Sequence, residues 1–261
     1  MILYSDNIVK NGEQCVLKFS ITKTTNKIFL GGELSVYHCD KLILSDKILS
    51  SNISINLPPF SENVLNYSVV LTKGKKRLSF PYTVSKLNET DPYIVCDIDF
   101  TLSSTNIFLY ATNNILHIKT IYSSQEVLND LSEKYRIIYL TGRYDKYARV
   151  TKLWLDKNKY PAGAIIARKK ELKQNLEEFK TYELKRIMSI CGKAVGIGDL
   201  KSDIIAYKKT GIIPVKIKHP PLFYSRKGNY KFIDGYYLVR SWKGIDRLFS
   251  DKKFFNVFES K

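Results

Sequence analysis

The sequence predicts a two-part protein: a parallel α/β sheet with helices on both faces, preceded by a small all-β sandwich. Three observations carry this reading. Up to about residue 90 the apolar residues alternate with period two, and no long helical pattern appears. From Tyr93 onward, short apolar runs alternate with amphipathic stretches at helical spacing. The 261 residues are 44% hydrophobic, which is enough for one large or two ordinary cores.

In the first part, "QCVLKFSI", "ELSVYHC" and "ISINL" read as strands. "YSVVLTKGKKRLSFPYTV" reads as a hairpin turning at Gly74, and Pro58 and Pro59 mark a loop. "KLNETD", residues 86–91, reads as a linker between a 1–90 domain and a 91–261 domain. The first part holds no chemical constellation; its expected roles are packing on the second part, membrane contact or partner binding.

In the second part the elements follow in order. "YIVCDID" is a strand, and "SSQEVLNDLSEKY" is a helix with Ser123 and Glu126 at capping-box spacing. "RIIYLTG" is a strand, "KYARVTKLWLDKNKY" a helix stopped near Pro161, and "GAIIAR" a short strand. "NLEEFKTYELKRIMSICG" is a helix with Gly192 as its C-terminal cap. "AVGIGD" is a strand, "SDIIAYKKTG" a helix closed by Gly211, and "IIPVKI" a strand. In such sheets, sites lie at the carboxyl ends of the strands.

The formal net charge of +17 points to an anionic partner: a phosphorylated substrate, an anionic membrane surface or nucleic acid. A Lys-rich genome bias would give the same number. Cys15, Cys39, Cys96 and Cys191 form no C-x-x-C pair, so a zinc site is not expected and a reducing, cytoplasmic setting is. "MILYSDNIVK" lacks the apolar core of a signal peptide, and no run reaches the ~18 apolar residues of a spanning helix. Membrane contact is therefore expected to be peripheral, and the sequons at Asn52, Asn66 and Asn88 are read as chance.

The polar residues gather at strand ends. "YIVCDIDFTL" closes a strand with Asp97 and Asp99, "IIYLT" ends in Thr141 before Gly142 and Arg143, and "AVGIGD" ends in Asp199, with Asp203 following in a helix. Strand side chains repeat every two residues, so Asp97 and Asp99 can face one reacting group. Neighbouring carboxylates raise each other's pKa unless a cation sits between them, and Mg²⁺ favours such oxygen donors, with Asp199 a natural third. An isolated D-x-D is also what a solvated strand end looks like.

"IVCDIDFTL", "IIYLT" and "VGIGDLKSD" together resemble the first, second and fourth motifs of the haloacid-dehalogenase superfamily, whose fold is a Rossmann-like sheet. "YLTGR", "YPAGAIIAR" and "EEFKTYELKRI" carry a closer resemblance, over roughly residues 93–217, to the lipin-type and actin-patch-associated phosphatidate phosphatases. Those proteins tend to carry an immunoglobulin-like β domain upstream. Phe100 departs from their Gly or Asp, and "LSSTN" after Thr101 matches only loosely.

The resemblance implies Asp97 as a nucleophile forming an aspartyl-phosphate, and Asp99 as the acid that protonates the leaving alkoxide and then the base that activates water. Thr141 would hydrogen-bond a phosphoryl oxygen, and Lys180 would neutralise charge. Mg²⁺ would be held by Asp97, Asp199 and the Asp99 carbonyl, and Asp203 would orient Lys180 or lie just behind the metal site. Lys169, Lys170 and Lys173 compete with Lys180 for its role. Asp203 could instead serve the helix dipole. Arg143 and Arg168 would meet an anionic head group or be solvated.

Only a short flap fits between Asp99 and Ser123, and 39 residues separate Thr141 from Lys180, so no cap domain is expected. An open site suits a lipid phosphate or a polynucleotide end. Residues 213–261 hold 11 Lys and Arg against 4 Asp and Glu, interleaved with aromatics, which suits lipid contact, base stacking or plain packing. The leading expectation is a phosphatidate-type phosphatase. The alternatives are a phosphatase acting on nucleic-acid ends and a silent lipid-binding module. The oligomeric state is not legible.

Overall fold

The computed structural model describes residues 1–104, 118–169, 174–218 and 229–259. Its first strands are β1 (Ile2–Tyr4), β2 (Asn7–Lys10) and β3 (Val16–Ile21), followed by helix α1 (Lys23–Phe29). β4 (Glu33–His38), β5 (Lys41–Lys47), β6 (Asn52–Asn56), β7 (Val64–Lys73) and β8 (Lys76–Leu87) complete the first part. A sheet of order β1-β3-β6 faces one of order β2-β8-β7-β4-β5. One apolar core fills the space between them, with Leu17, Phe19 and Ile21 from the first meeting Val36, Val69, Leu71, Phe80 and Val84 from the second. Their period-two alternation is what turns these residues inward. The β7–β8 hairpin closes with Lys73 opposite Lys76, and Gly74 supplies the positive φ of the two-residue turn.

The second part begins with β9 (Pro92–Cys96) and continues through α2 (Ser124–Ser132), β10 (Arg136–Tyr144), a 3₁₀ turn (Asp145–Tyr147) and α3 (Ala148–Lys157). Then come β11 (Ala164–Arg168), α4 (Leu176–Met188), β12 (Lys193–Gly198), α5 (Lys201–Lys209) and β13 (Ile213–Ile217). β14 (Tyr230–Ile233), β15 (Tyr236–Val239), α6 (Trp242–Ser250) and α7 (Lys252–Glu259) follow. The sheet order is β11-β10-β9-β12-β13-β15-β14, parallel except for β14. Neighbours in sequence lie on opposite sides of β9, so the connections part there and open a crevice at its carboxyl end.

Alternation along the strands sorts the residues onto two faces. Ile94, Cys96, Ile137, Tyr139, Val195 and Ile197 meet α2, α3, α6 and α7. Tyr93, Val95, Ile138, Leu140 and Ala194 meet α4 and α5. Both faces are covered, as the near-continuous apolar strands required. No helix among the described residues is long and apolar enough to cross a membrane.

β11 is an edge strand, and the first part seals it. Ile165 N–H donates to Asp6 Oδ2 (2.9 Å) and Asp6 N–H to Ile165 O (3.0 Å). Ala167 N–H donates to Ser5 Oγ (3.1 Å) and Ala164 N–H to Ser85 Oγ (3.0 Å). Unpaired edge groups would otherwise recruit another strand.

Several local expectations change. The first part is not all strand: Thr25 and Phe29, four residues apart, bury one face of α1. Ser123 does not cap α2; it adopts φ +58 without a side-chain bond, and Ser124 Oγ donates to Ile121 O instead. Gly192 does not cap α4, which ends at Met188; Gly192 lets Glu89 O come close, where a Cβ would meet that oxygen at 2.6 Å. The capping box is at Asn175 and Glu178, opening α4. Gly211, φ +77, does close α5. The expected flap falls largely on residues 105–117, and Lys170 and Lys173 fall on 170–173, so these lie outside the described residues. In the tail, Trp242, Ile245, Leu248, Phe254 and Phe258 are core residues, so plain packing accounts for these.

Candidate active site

Asp97 is the first residue past β9, and its N–H donates to Ile197 O of β12 (2.9 Å), which carries the sheet ladder one step further. It lies on the side of the sheet that Tyr93 and Val95 share, facing α4. There Lys180 Nζ, fully buried, donates to Asp97 Oδ1 (2.9 Å) and to Asp203 Oδ1 (2.6 Å). The other Asp203 oxygen accepts from Leu200 N–H (3.1 Å), so Asp203 ties α5, the end of β12 and Lys180 together. The glycines of "VGIGD" make this possible. A Cβ on Gly198 would meet Asp203 Oδ2 at 2.5 Å, and one on Gly196 would meet the Tyr207 ring at 2.5 Å.

Carboxylate oxygens of Asp97, Asp199 and Asp203 lie within 4.8 Å of one another. Asp199 Oδ1 is buried and has no hydrogen-bond partner. Burial pushes the Asp97 carboxyl up to about 8; Lys180 pulls it down, while Asp203, Asp99 and Asp199 push it further up. Burial, then Asp203, pushes Asp199 up to about 6. Burial alone would lower the Lys180 ammonium, but Asp97 and Asp203 outweigh it and hold Lys180 charged. Four carboxylates, Asp97, Asp99, Asp199 and Asp203, thus face two cations, Lys180 and Arg143, leaving two formal negative charges. A divalent cation would neutralise that excess, and the orphaned Asp199 oxygen is the kind of hard donor that Mg²⁺ takes. Asp97 and Asp199 would hold it; both Asp203 oxygens shown here are already engaged.

Asp99 is set apart from that cluster. Arg143 Nη2 donates to Asp99 Oδ1 (2.7 Å), and Nε reaches both carboxylate oxygens at 3.1 Å. Arg143 is neither solvated nor reaching outward: it is 2% exposed, braced by Thr151 Oγ1 (3.1 Å) and Ser103 Oγ (3.4 Å). A planar guanidinium makes this fork, and it fixes the carboxylate's orientation. Thr141, fully buried, accepts from Arg143 N–H through Oγ1 (3.2 Å). Gly142 leaves room for Leu176 at the start of α4, where a Cβ would come within 2.7 Å of its Cδ1. Arg168 turns to Tyr144, with Nη2 2.9 Å from the hydroxyl and the guanidinium over the ring.

After Asp99 the chain folds tightly. The N–H groups of Thr101, Leu102 and Ser103 all point to Ile98 O at 3.2, 2.9 and 3.0 Å. Residues far along the chain grip this turn: Trp242 Nε1 donates to Thr101 O (2.8 Å) and Tyr160 Oη to Leu102 O (3.2 Å). Ser103, Thr151, Tyr160 and Trp242 were not singled out in the sequence. The signal open to it was weak: a Thr on the inward face of α3 and a Trp opening an amphipathic helix.

The structure brings Asp97, Lys180, Asp199 and Asp203 together, and Asp99 with Arg143 and Thr141 beside them. Residues 94–218 match the family model for the LNS2 domain of PITM 1-3. Among solved structures the chain is similar to a D,D-heptose 1,7-bisphosphate phosphatase from B. bronchiseptica, complexed with magnesium and phosphate. Identity is 10%, the match covers 62% of this chain and 98% of that one, and the TM-score is 0.45. It is also similar to a protein from Clostridium acetobutylicum described as a predicted phosphatase, at 14% identity over 63% of this chain and 98% of that one, with a TM-score of 0.41. Both likenesses are weak. No curated protein matches the sequence.

Proposed function

We propose, from residues 94–218 being a lipin-like, phosphatase-type domain of the haloacid-dehalogenase superfamily, that this chain is a Mg²⁺-dependent phosphomonoesterase acting on a phosphatidate-type lipid phosphate. The observation that carries the reading is Lys180 bridging Asp97 and Asp203 beside the orphaned oxygen of Asp199. Gathering four carboxylates at one strand end, with Asp97 and Asp203 buried and Asp99 and Asp199 half-buried, has no structural return unless a cation and a phosphoryl group complete the site.

When bound, Mg²⁺ would keep Asp97 ionised and offset charge on the phosphoryl oxygens. Asp97 attacks phosphorus, the bond to the ester oxygen breaks, and the leaving alkoxide takes a proton from Asp99. Asp99 then removes a proton from water, which attacks the aspartyl-phosphate and releases orthophosphate, restoring Asp97. As seen here, Asp99 accepts from Arg143, which fixes the orientation of its carboxyl group for both steps. Lys180 balances charge on Asp97 and the phosphoryl group. Thr141 Oγ1 accepts one bond from Arg143 N–H, which leaves its own proton to donate to a phosphoryl oxygen. We read residues 1–90 as a β-sandwich domain and 91–261 as the catalytic domain. The net charge of +17 supports contact with an anionic surface.

The test is phosphate release from phosphatidate, lysophosphatidate, a 3′-phosphorylated oligonucleotide and an aryl phosphate, each with Mg²⁺ or EDTA. Mg²⁺-dependent release from the lipids, lost in Asp97→Asn, is the expected result. Release only from the oligonucleotide would move the assignment to nucleic-acid ends. Lipid binding without release from any substrate would make the protein a silent lipid-binding module.

A further inference from the structure

The turn that carries the acid/base residue holds an anomaly. Phe100 has φ +54, a left-handed backbone that bulky residues rarely adopt. With Phe100 in that conformation, three N–H groups, those of Thr101, Leu102 and Ser103, converge on Ile98 O. Gly, Asn or Asp would adopt that conformation at little cost. Nor does burial compensate. Phe100 is 38% exposed, while Asp97, Ile98, Thr101, Leu102 and Ser103 are buried. Among the described residues it is the one aromatic side chain at positive φ. A strained backbone that turns a large apolar ring toward solvent beside a carboxylate site calls for a ligand contact.

Leu200 repeats the pattern on the other side of β9. It follows Asp199 directly, its N–H is pinned by Asp203 Oδ2, and its side chain is 43% exposed. Each of two carboxylates at the site thus has an exposed apolar neighbour held on a fixed backbone.

We infer that Phe100 and Leu200 are specificity-determining residues that contact the alkyl part of the substrate's leaving group. The inference rests on the phosphatase reading above. An aliphatic Leu offers no π-face, so the pair suits an acyl chain better than a nucleobase.

The test compares kcat/KM for a short-chain phosphatidate, dissolved as monomers, with that for glycerol 3-phosphate, which has the same phosphate and backbone without acyl chains. Phe100→Asn suits the left-handed backbone and keeps the fold, checked by circular dichroism. In it the ratio of the two values falls about tenfold, as expected for losing one apolar contact of roughly half a side chain. Leu200→Ser lowers the same ratio, and Phe100→Leu retains it. An unchanged ratio in both Phe100→Asn and Leu200→Ser overturns the inference. So does a fall confined to a 3′-phosphorylated oligonucleotide measured alongside. A wild-type protein silent on all three substrates removes the phosphatase reading itself.

Discussion

Asp6 and Asp97 are both buried carboxylates, and they are housed in opposite ways. Asp6 sits where the sandwich meets β11. One oxygen accepts from Thr83 N–H (2.8 Å) and the other from Ile165 N–H (2.9 Å), so backbone donors on both sides complete it. Asp97 has one ammonium, shared with Asp203, and three acidic neighbours. A carboxyl with its donors built in is a joint. One crowded by like charge, with its compensation left to something that binds, fits the reaction centre proposed above. Desolvation alone does not tell them apart, since burial is the leading cause of the upward push on both.

The contrast can be broken at several points, and the largest effect is expected at the reaction centre. Asp97→Asn should lower turnover by at least about 10³-fold, because the amide cannot form the covalent intermediate. Measurable phosphate release at a tenth of the wild-type rate would refute the nucleophile. Lys180→Met should cost both functions of its site: turnover falls about 10²-fold, and stability falls by roughly 3–5 kcal/mol as two buried carboxylates lose their cation. Urea unfolding followed by tryptophan fluorescence measures the second.

At the joint, only stability should move. Asp6→Ala leaves two buried N–H groups unpaired at about 1–3 kcal/mol each, with faster amide exchange at Thr83 and Ile165 and unchanged turnover per folded molecule. A stability drop with normal exchange at those two amides would show that the joint is elsewhere. Mg²⁺ gives the converse. At about 100 times its dissociation constant it should add roughly 2–3 kcal/mol and raise the thermal midpoint by several degrees, an increment lost in Asp199→Asn and retained in Asp6 variants.

The smallest effect is a slope with pH. Burial raises Asp6 to about 7, above the usual carboxylate value of about 4. Below about pH 4 the group is neutral in both folded and unfolded chains and imposes no penalty. Between about 4 and 7 the unfolded chain releases the proton that the folded one keeps, so stability falls as pH rises, and above 7 the loss is complete. Urea midpoints from pH 4.5 to 7.5 should therefore decline more steeply in the wild type than in Asp6→Asn. Parallel lines would mean that Asp6 is ionised throughout, its two N–H bonds outweighing desolvation.

How much of this was legible in the sequence differs between the two places. At the reaction centre the strand ends, the i, i+2 spacing of Asp97 and Asp99, Lys180 and the order of the β and α runs were readable, because each follows from periodicity or from a short motif. The pairings were not. Nothing local says that Arg143 forks onto Asp99, 44 residues away, or that Asp203 takes Lys180 with one oxygen and Leu200 N–H with the other. At the joint almost nothing was readable. Ser5 and Asp6 look like ordinary loop residues, and their partners in β11 lie about 160 positions on. Ser123 misled because capping-box spacing specifies a possible bond but not the backbone angle, and here the chain enters α2 through a left-handed residue.

The grip of Trp242 on Thr101 has a consequence in time. The indole of α6 holds the carbonyl of a turn that precedes it by 141 positions. A ribosome delivers Asp97 and Asp99 early and Trp242 much later. The turn after Asp99 therefore stays without its anchor until α6 has docked. A chain halted between residues 204 and 241 carries every acidic group of the site yet lacks the clasp that shapes it. Competence arrives late in synthesis, and a prematurely terminated product should be inert rather than an unregulated hydrolase.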